Sequence, residues 1–367
     1  MARSGDTLSE GSVLDIFEGE DVTPPTAPGG PGGGGPARAL PDEDDSRNRR
    51  RKVLALVLAF LMLVVGALVA WYLLTRKPLS QLPGVNVVAT PTYKTSFFGV
   101  DKPLGVAAAA DGSRVFVTHG GTTPGVTMFD RDGRILRELE LPAEPAYHVP
   151  VYLTVAPDGT LWVGDRAAGA IYTFTPEGDP LSTFTPKDET VFYSPLGIAV
   201  AQDGTLYVAD VLSNEPAKHR ILVFAADGTL LRTLGEGMLN YPNQLQVDAA
   251  GNLYVTDSNH ARFVVYDTEG KQALLTGPGA GLGDLGLPRG FAIDDRDRLF
   301  VADTTDHQVR MYTLGDTLTA PPTFVAALGT QGVGDGQFNF PNGVAIDARA
   351  RIYITDRENN RVQVWGF

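Results

Sequence analysis

The sequence predicts an all-β fold, a six-bladed β-propeller, preceded by a disordered tail and one transmembrane helix. Three observations predict it. A run of apolar residues without charge lies near the N-terminus, and six copies of one strand-rich unit follow it. The composition, with 42 Gly and 26 Pro, suits a chain full of turns. Composition also sets limits on function. The formal net charge is −13, and such an acidic surface repels phosphate backbones, so no nucleic-acid partner is expected. There is no cysteine, which excludes a disulfide framework, thiolate metal sites and a Cys nucleophile.

Residues 1–52 read as a disordered cytoplasmic tail. The stretch TPPTAPGGPGGGGPARALPDEDD is nearly devoid of large apolar residues and cannot bury enough surface to offset the entropy of ordering. One exception lies at residues 8–21, LSEGSVLDIFEGED. Val13, Leu14, Ile16 and Phe17 cluster there between acids, which suits either a short motif that orders on a cytoplasmic partner or an incidental apolar patch.

Residues 53–74, VLALVLAFLMLVVGALVAWYLL, carry no charge. A bilayer core needs about 20 helical residues. A cleaved signal peptide fits poorly, because its apolar region is about 7–15 residues and begins near the N-terminus. The run therefore reads as a retained signal-anchor, a helix over 53–75 followed by a linker at 76–84. Arg47, Arg49, Arg50, Arg51 and Lys52 precede it, and only Arg76 and Lys77 follow. The positive-inside rule then predicts a single-pass protein of the cell membrane, N-terminus in the cytoplasm and the rest extracytoplasmic.

Residues 85–367 are periodic. Pro103, Pro150, Pro195, Pro242, Pro288 and Pro341 each open a unit, at intervals of roughly 45–50 residues. In the fourth unit QLQVDA, NLYVTD, ARFVVYD and KQALLTG are rich in β-branched and aromatic residues, and AAGN, SNH and TEGK separate them as tight turns. Connections this short force antiparallel pairing, so each unit is a four-stranded meander, and meanders at this period predict a propeller. The last unit, from Pro341, is one outer strand short. VNVVATPTYKTSFFG, residues 85–99, is expected to supply it by pairing beside RVQVWGF, which closes the ring.

GVGDGQFNFPNGVAIDARARIYITDRENNRVQVW, residues 332–365, and YPNQLQVDAAGNLYVTDSNHARFVVYD, residues 241–267, resemble the NHL repeat family almost throughout. Its pattern is a Gly-rich loop, then Phe-x-x-Pro-x-Gly, Gly-x-ϕ-Tyr-Val-Ala-Asp and Asn-His-Arg, with ϕ apolar. The resemblance implies an NHL/TolB-like propeller over 85–367. It implies little about function, because the family includes protein-binding, RNA-binding and sensor domains and a zinc-dependent lyase.

Candidate chemistry is sparse. Asp165, Asp210, Asp257, Asp303 and Asp356 end the second strand in five units; repetition in nearly every blade points to a structural carboxylate that accepts turn amides, not to a calcium site. His219, His260 and His307 fall at the family's motif position before the third strand. His119, standing where other units have Asp, and His148, two residues before Pro150, are the metal candidates, but zinc needs about three protein ligands and no third is evident. The Gly-rich LLTGPGAGLGDLGLP and LGTQGVGDGQF lack the Lys-Ser/Thr end of a phosphate loop. The expected ligand surface is the end of the ring that carries the repeat prolines. Tyr152, Asn243, Gln244, Arg289 and Asn342 follow the prolines there, and Arg166 and Arg357 follow the aspartates. VLSNEPAKHR and TLTAPPT add longer loops. Three arginines around the rim suit an anionic ligand or a carboxylate-bearing partner.

Two functions follow. The first is a non-enzymatic binding or scaffolding module for a protein, a peptide or a cell-envelope glycan, with no cofactor. It is similar to the sensor half of receptors with an external NHL propeller. The second is a propeller enzyme, lactonase, strictosidine-synthase-like or zinc lyase-like, which brings a divalent metal or a carboxylate into the central channel.

Overall fold

The computed structural model describes residues 43–75, 89–187, 192, 194–212, 214–276 and 283–367. The chain divides into two units, residues 1–79 and 80–367. The segment at 8–21 and the linker at 76–84 lie outside the described residues.

In the first unit one helix, α1, covers Glu43–Thr75. The expectation of disorder through residue 52 is corrected at its end, since residues 43–52 are helical. Neither Pro nor Gly occurs between Glu43 and Val65, and the acids at 43–45 lie in the first turn, where the helix dipole favours them. A helix already formed from Val53 also extends backward without a second nucleation cost. Among the described residues no helix is long and apolar enough to cross a membrane. The described side chains of the apolar run extend without a break from Val53 to Ala67, and all are exposed in the isolated chain.

The second unit is a ring of six four-stranded antiparallel sheets. Strand β1 (Thr92–Phe98) comes first. Blade 1 is β2 (Pro103–Ala108), β3 (Arg114–His119), β4 (Gly125–Asp130) and β5 (Ile135–Glu138); blade 2 is β6 (Pro150–Val155), β7 (Leu161–Asp165), β8 (Ala170–Phe174) and β9 (Pro180–Thr183). Blade 3 is β10 (Pro195–Val200), β11 (Leu206–Asp210), β12 (Arg220–Phe224) and β13 (Leu230–Leu234); blade 4 is β14 (Pro242–Val247), β15 (Leu253–Asp257), β16 (Arg262–Tyr266) and β17 (Gln272–Leu275). Blade 5 is β18 (Pro288–Ile293), β19 (Arg298–Asp303), β20 (Gln308–Thr313) and β21 (Thr323–Leu328). A short parallel pair, β22 (Thr330–Gln331) with β23 (Gln337–Phe338), precedes blade 6. Blade 6 is β24 (Pro341–Ile346), β25 (Ile352–Asp356), β26 (Arg361–Gly366) and, as its outermost strand, β1. Thr92 faces Gly366 and Phe98 faces Arg361, so the N-terminal strand closes the ring as the sequence predicts.

The core lies between blades. Phe97, Phe129, Tyr353 and Val362 fill the seam between blades 6 and 1. Phe300, Phe338 and Trp365 fill that between 5 and 6, and Ile171, Ile198, Leu222 and Phe224 that between 2 and 3. Each sheet is covered on both faces, which is why inner strands such as LYVAD at β11 are buried at every position. All six opening prolines start the innermost strand, at one end of the ring, here the proline end. The turns between first and second strands lie at the other, the hairpin end.

Candidate functional site

The repeated aspartates end the second strands fully buried, and each accepts the amide of a residue one to two positions before its own blade's proline. Asp165 accepts from Val149, Asp210 from Ser194, Asp257 from Asn240, Asp303 from Leu287 and Asp356 from Asn339. Asp165 also accepts from Ala167 and Ala168 ahead of it, as expected for a turn cap. A guanidinium balances four of them: Arg220 on Asp210, Arg262 on Asp257, Arg310 on Asp303 and Arg361 on Asp356. Blade 2 begins its third strand with Ala170, and the cation there is replaced by His148, whose Nδ1 lies 2.5 Å from Asp165 while its Nε2 lies 2.8 Å from the Pro142 carbonyl. Each ring nitrogen thus faces an oxygen. These carboxylates are structural, and sequence reasoning missed the arginines that balance them. Three of those arginines sit directly opposite their aspartate across the strand pair, a cross-strand register readable only once the hairpin is paired.

The histidines separate into different tasks. His219 Nδ1 accepts the Tyr241 amide at 3.0 Å, and His307 Nδ1 accepts that of Phe340 at 3.1 Å. In blade 6 Asn360 Oδ1 accepts from Lys102. Each ties one blade to the next. His260 does not share this task. Ala261 occupies the position, with φ of 51° against 54° at His307 and 51° at Asn360. His260 lies one residue earlier and bonds Asp257 instead. His119 Nε2 lies 3.4 Å from Glu138, so the two metal candidates each face an acid of their own blade. Among the described residues no group of three or more His, Asp or Glu is placed to hold a metal ion.

The centre of the ring explains the Pro-x-Gly spacing. Two residues after the proline stand Gly105, Gly197, Gly290 and Gly343. A Cβ on Gly105 would lie 2.5 Å from the Val151 carbonyl, and one on Gly343 2.7 Å from that of Leu104. Inner strands approach so closely there that a side chain has no room. Blades 2 and 4 break the rule with Tyr152 and Gln244, and both side chains turn into the channel. The Tyr152 hydroxyl meets Asn342 Nδ2 of blade 6 at 3.4 Å. Gln244 Nε2 donates to the carbonyls of Phe291 and Val344, in blades 5 and 6, at 2.8 and 3.3 Å. The channel is thus bridged from blade 2 to blade 6 and from blade 4 to blade 6. Burial pushes the Tyr152 hydroxyl above its ordinary range, partly offset by Arg289 and Asn342 beside it.

The seven expected rim residues therefore divide. Tyr152, Asn243 and Asn342 are buried, and Gln244 is half-buried. Asn243 Nδ2 bonds Ser258 Oγ and the Tyr241 carbonyl within its own blade, whereas Asn342 Nδ2 also bonds the Leu104 carbonyl and so joins blade 6 to blade 1. The arginines are only partly buried. Arg166 donates to the Tyr241 hydroxyl at 3.3 Å, and Arg357 Nε lies 3.6 Å from Glu358. Arg289 stands next to the Tyr152 hydroxyl and forms no ion pair among the described residues. At the hairpin end the same channel widens into a cavity of about 430 Å³, reached by all six inner strands. Sequence reasoning had no signal for it, because backbone spacing makes it.

The NHL repeat matches residues 338–365. Among solved structures the chain is similar to a streptogramin B lyase (17% identity, 75% of this chain and 98% of that one, TM-score 0.53). It is also similar to virginiamycin B lyase from Staphylococcus aureus (17%, 74% and 98%, TM-score 0.50). A protein of unknown function from Bacteroides thetaiotaomicron is similar too (14%, 76% and 72%, TM-score 0.55). At these identities the likeness is one of fold. The second unit of the chain is a six-bladed β-propeller that carries an NHL repeat.

Proposed function

We propose that the chain is a non-enzymatic binding propeller, held at the outer face of a cell membrane by residues 53–74, with residues 1–52 in the cytoplasm. Its ligand is a protein, a peptide or a cell-envelope glycan bearing an anionic group, and it is captured across the proline end by Arg166, Arg289 and Arg357. The plugged channel carries this reading. A channel metal or carboxylate would serve a propeller enzyme, but the positions that reach the axis are filled by a phenol and an amide, Tyr152 and Gln244, and each is spent on other blades. The likeness to lyases extends to the fold only, whereas propellers with NHL repeats generally mediate protein interactions.

The anchor rests on the charge-free run and its basic flank. The three arginines supply forked donors for carboxylates on an otherwise acidic protein. The test is capture of envelope components by the full chain in mild detergent. Replacing Arg166, Arg289 and Arg357 together by Ala reduces capture roughly tenfold or more on this reading. Unchanged capture by the triple variant would count against the proline end as the ligand face.

A further inference from the structure

The cavity at the hairpin end is separate from the rim just described. It holds about 430 Å³, within the range of small-molecule sites. Tyr152 and Gln244 bridge the channel beyond it, so it opens at the hairpin end. Its lining comes from the last residues of β2, β6, β10, β14, β18 and β24, largely Ala, Val, Leu and Ile, and the first turns of blades 1 and 2 form part of its rim. In a chain of net charge −13, Arg114 is the one charged residue among the described residues that line it. Arg114 already pairs with Glu177 at 3.4 Å.

The polar groups of the wall are not evenly available. Each inner strand is the terminal strand of its sheet, so its channel-side edge has no strand partner. On the side of blades 5 and 6 this edge is partly taken. Gln244 bonds the carbonyls of Phe291 and Val344, and Gln246 pairs with Ile293 through both its amide groups, at 3.2 and 3.0 Å. On the side of blades 1 to 3 no side chain bonds the edges at Val106–Ala108, Leu153–Val155 or Ile198–Val200 among the described residues. The cavity therefore offers apolar walls and one arc of free backbone donors and acceptors, and its one charged lining residue, Arg114, is already paired with Glu177.

We propose that the hairpin-end cavity binds an uncharged small molecule, apolar in bulk and carrying an amide or hydroxyl group, which hydrogen-bonds the open inner edges of blades 1 to 3. A charged ligand is disfavoured because its desolvation has no compensating partner there. The site is independent of the proline-end rim, so either reading can fail alone.

The probes are 2-naphthylacetamide and its acid, 2-naphthylacetate, which share a skeleton and differ in charge. Each is titrated calorimetrically into the full chain in detergent, against the same micelles carrying Ala110→Trp. Ala110 is an exposed residue of the rim, so an indole is placed there to obstruct the mouth. The expected result is binding of the amide at one per chain, weakened roughly tenfold or more by Ala110→Trp, with the acid binding the wild type at least roughly tenfold more weakly than the amide. Three results overturn the proposal: no binding of the amide, equal binding of the amide by the covered variant, or an acid that binds as tightly as the amide. If Ala110→Trp loses its fold by circular dichroism, Ala109→Trp on the same rim takes its place.

Discussion

Asp356 shows what the repeated carboxylates do. It is fully buried and accepts from the Asn339 amide, Asn359 Nδ2, Arg361 Nε and Gln363 Nε2, at 2.7 to 2.9 Å. Arg361, itself 5% exposed, also donates to the carbonyls of Gly334 and Gln337, and so ties the loop before blade 6 to its second and third strands. Removing one partner of such a pair leaves a buried charge without compensation. Arg361→Ala is expected to lower stability by about 3–5 kcal/mol in denaturant unfolding of the full chain. Arg134→Ala, whose side chain is 80% exposed beside Asp130, is expected to stay within about 0.5 kcal/mol. Comparable losses at the two sites would mean that the buried pair has no special role. The sequence made the aspartates legible as structural by their repetition. It assigned His260 to the blade-to-blade link although His260 stands one residue before that position, because SNHAR and ENNR align only when the left-handed residue, Ala261 or Asn360, is known.

Among the elements, β1 is the one whose place depends on the whole ring. It is separated in sequence from its partner β26 by nearly the full length of the propeller, yet it pairs along its length with one bulge between Tyr93 and Thr95. Phe97 anchors it, 1% exposed, with ring centroids 5.6 Å from Phe129 of blade 1 and 6.0 Å from Tyr353 of blade 6. Phe97→Ala is expected to cost about 3–5 kcal/mol, by the same unfolding measurement, while Phe98→Ala, at a position 61% exposed, costs little. A small loss at Phe97 would make the closing strand an ornament, not a clasp. The arithmetic of strands made this closure readable beforehand: the last unit lacks an outer strand and the first has one to spare. Outer strands elsewhere were weaker signals. β9 reads PLST and is exposed at all four positions, so no burial pattern marks it.

For the molecule as a whole, the absence of cysteine provides a clean test of topology. A single Val333→Cys in the propeller, at a position 77% exposed, is expected to react in intact cells with a membrane-impermeant maleimide, whereas Ser4→Cys in the tail reacts only after lysis. Labelling in the opposite sense would reverse the proposed orientation. The sequence by itself determined the number of blades, the four-strand meander, the turns and the strand that closes the ring, because each of these is written in local periodicity and in residues with narrow backbone preferences. Tertiary structure decided the rest. Whether Tyr152 and Gln244 line a rim or plug an axis depends on how near six inner strands approach, and that distance is set by glycines in four other blades. Whether an Asp is free to bind a ligand depends on an Arg across a hairpin. Where the ring opens is a property of the gap between backbones, which no single stretch of chain encodes.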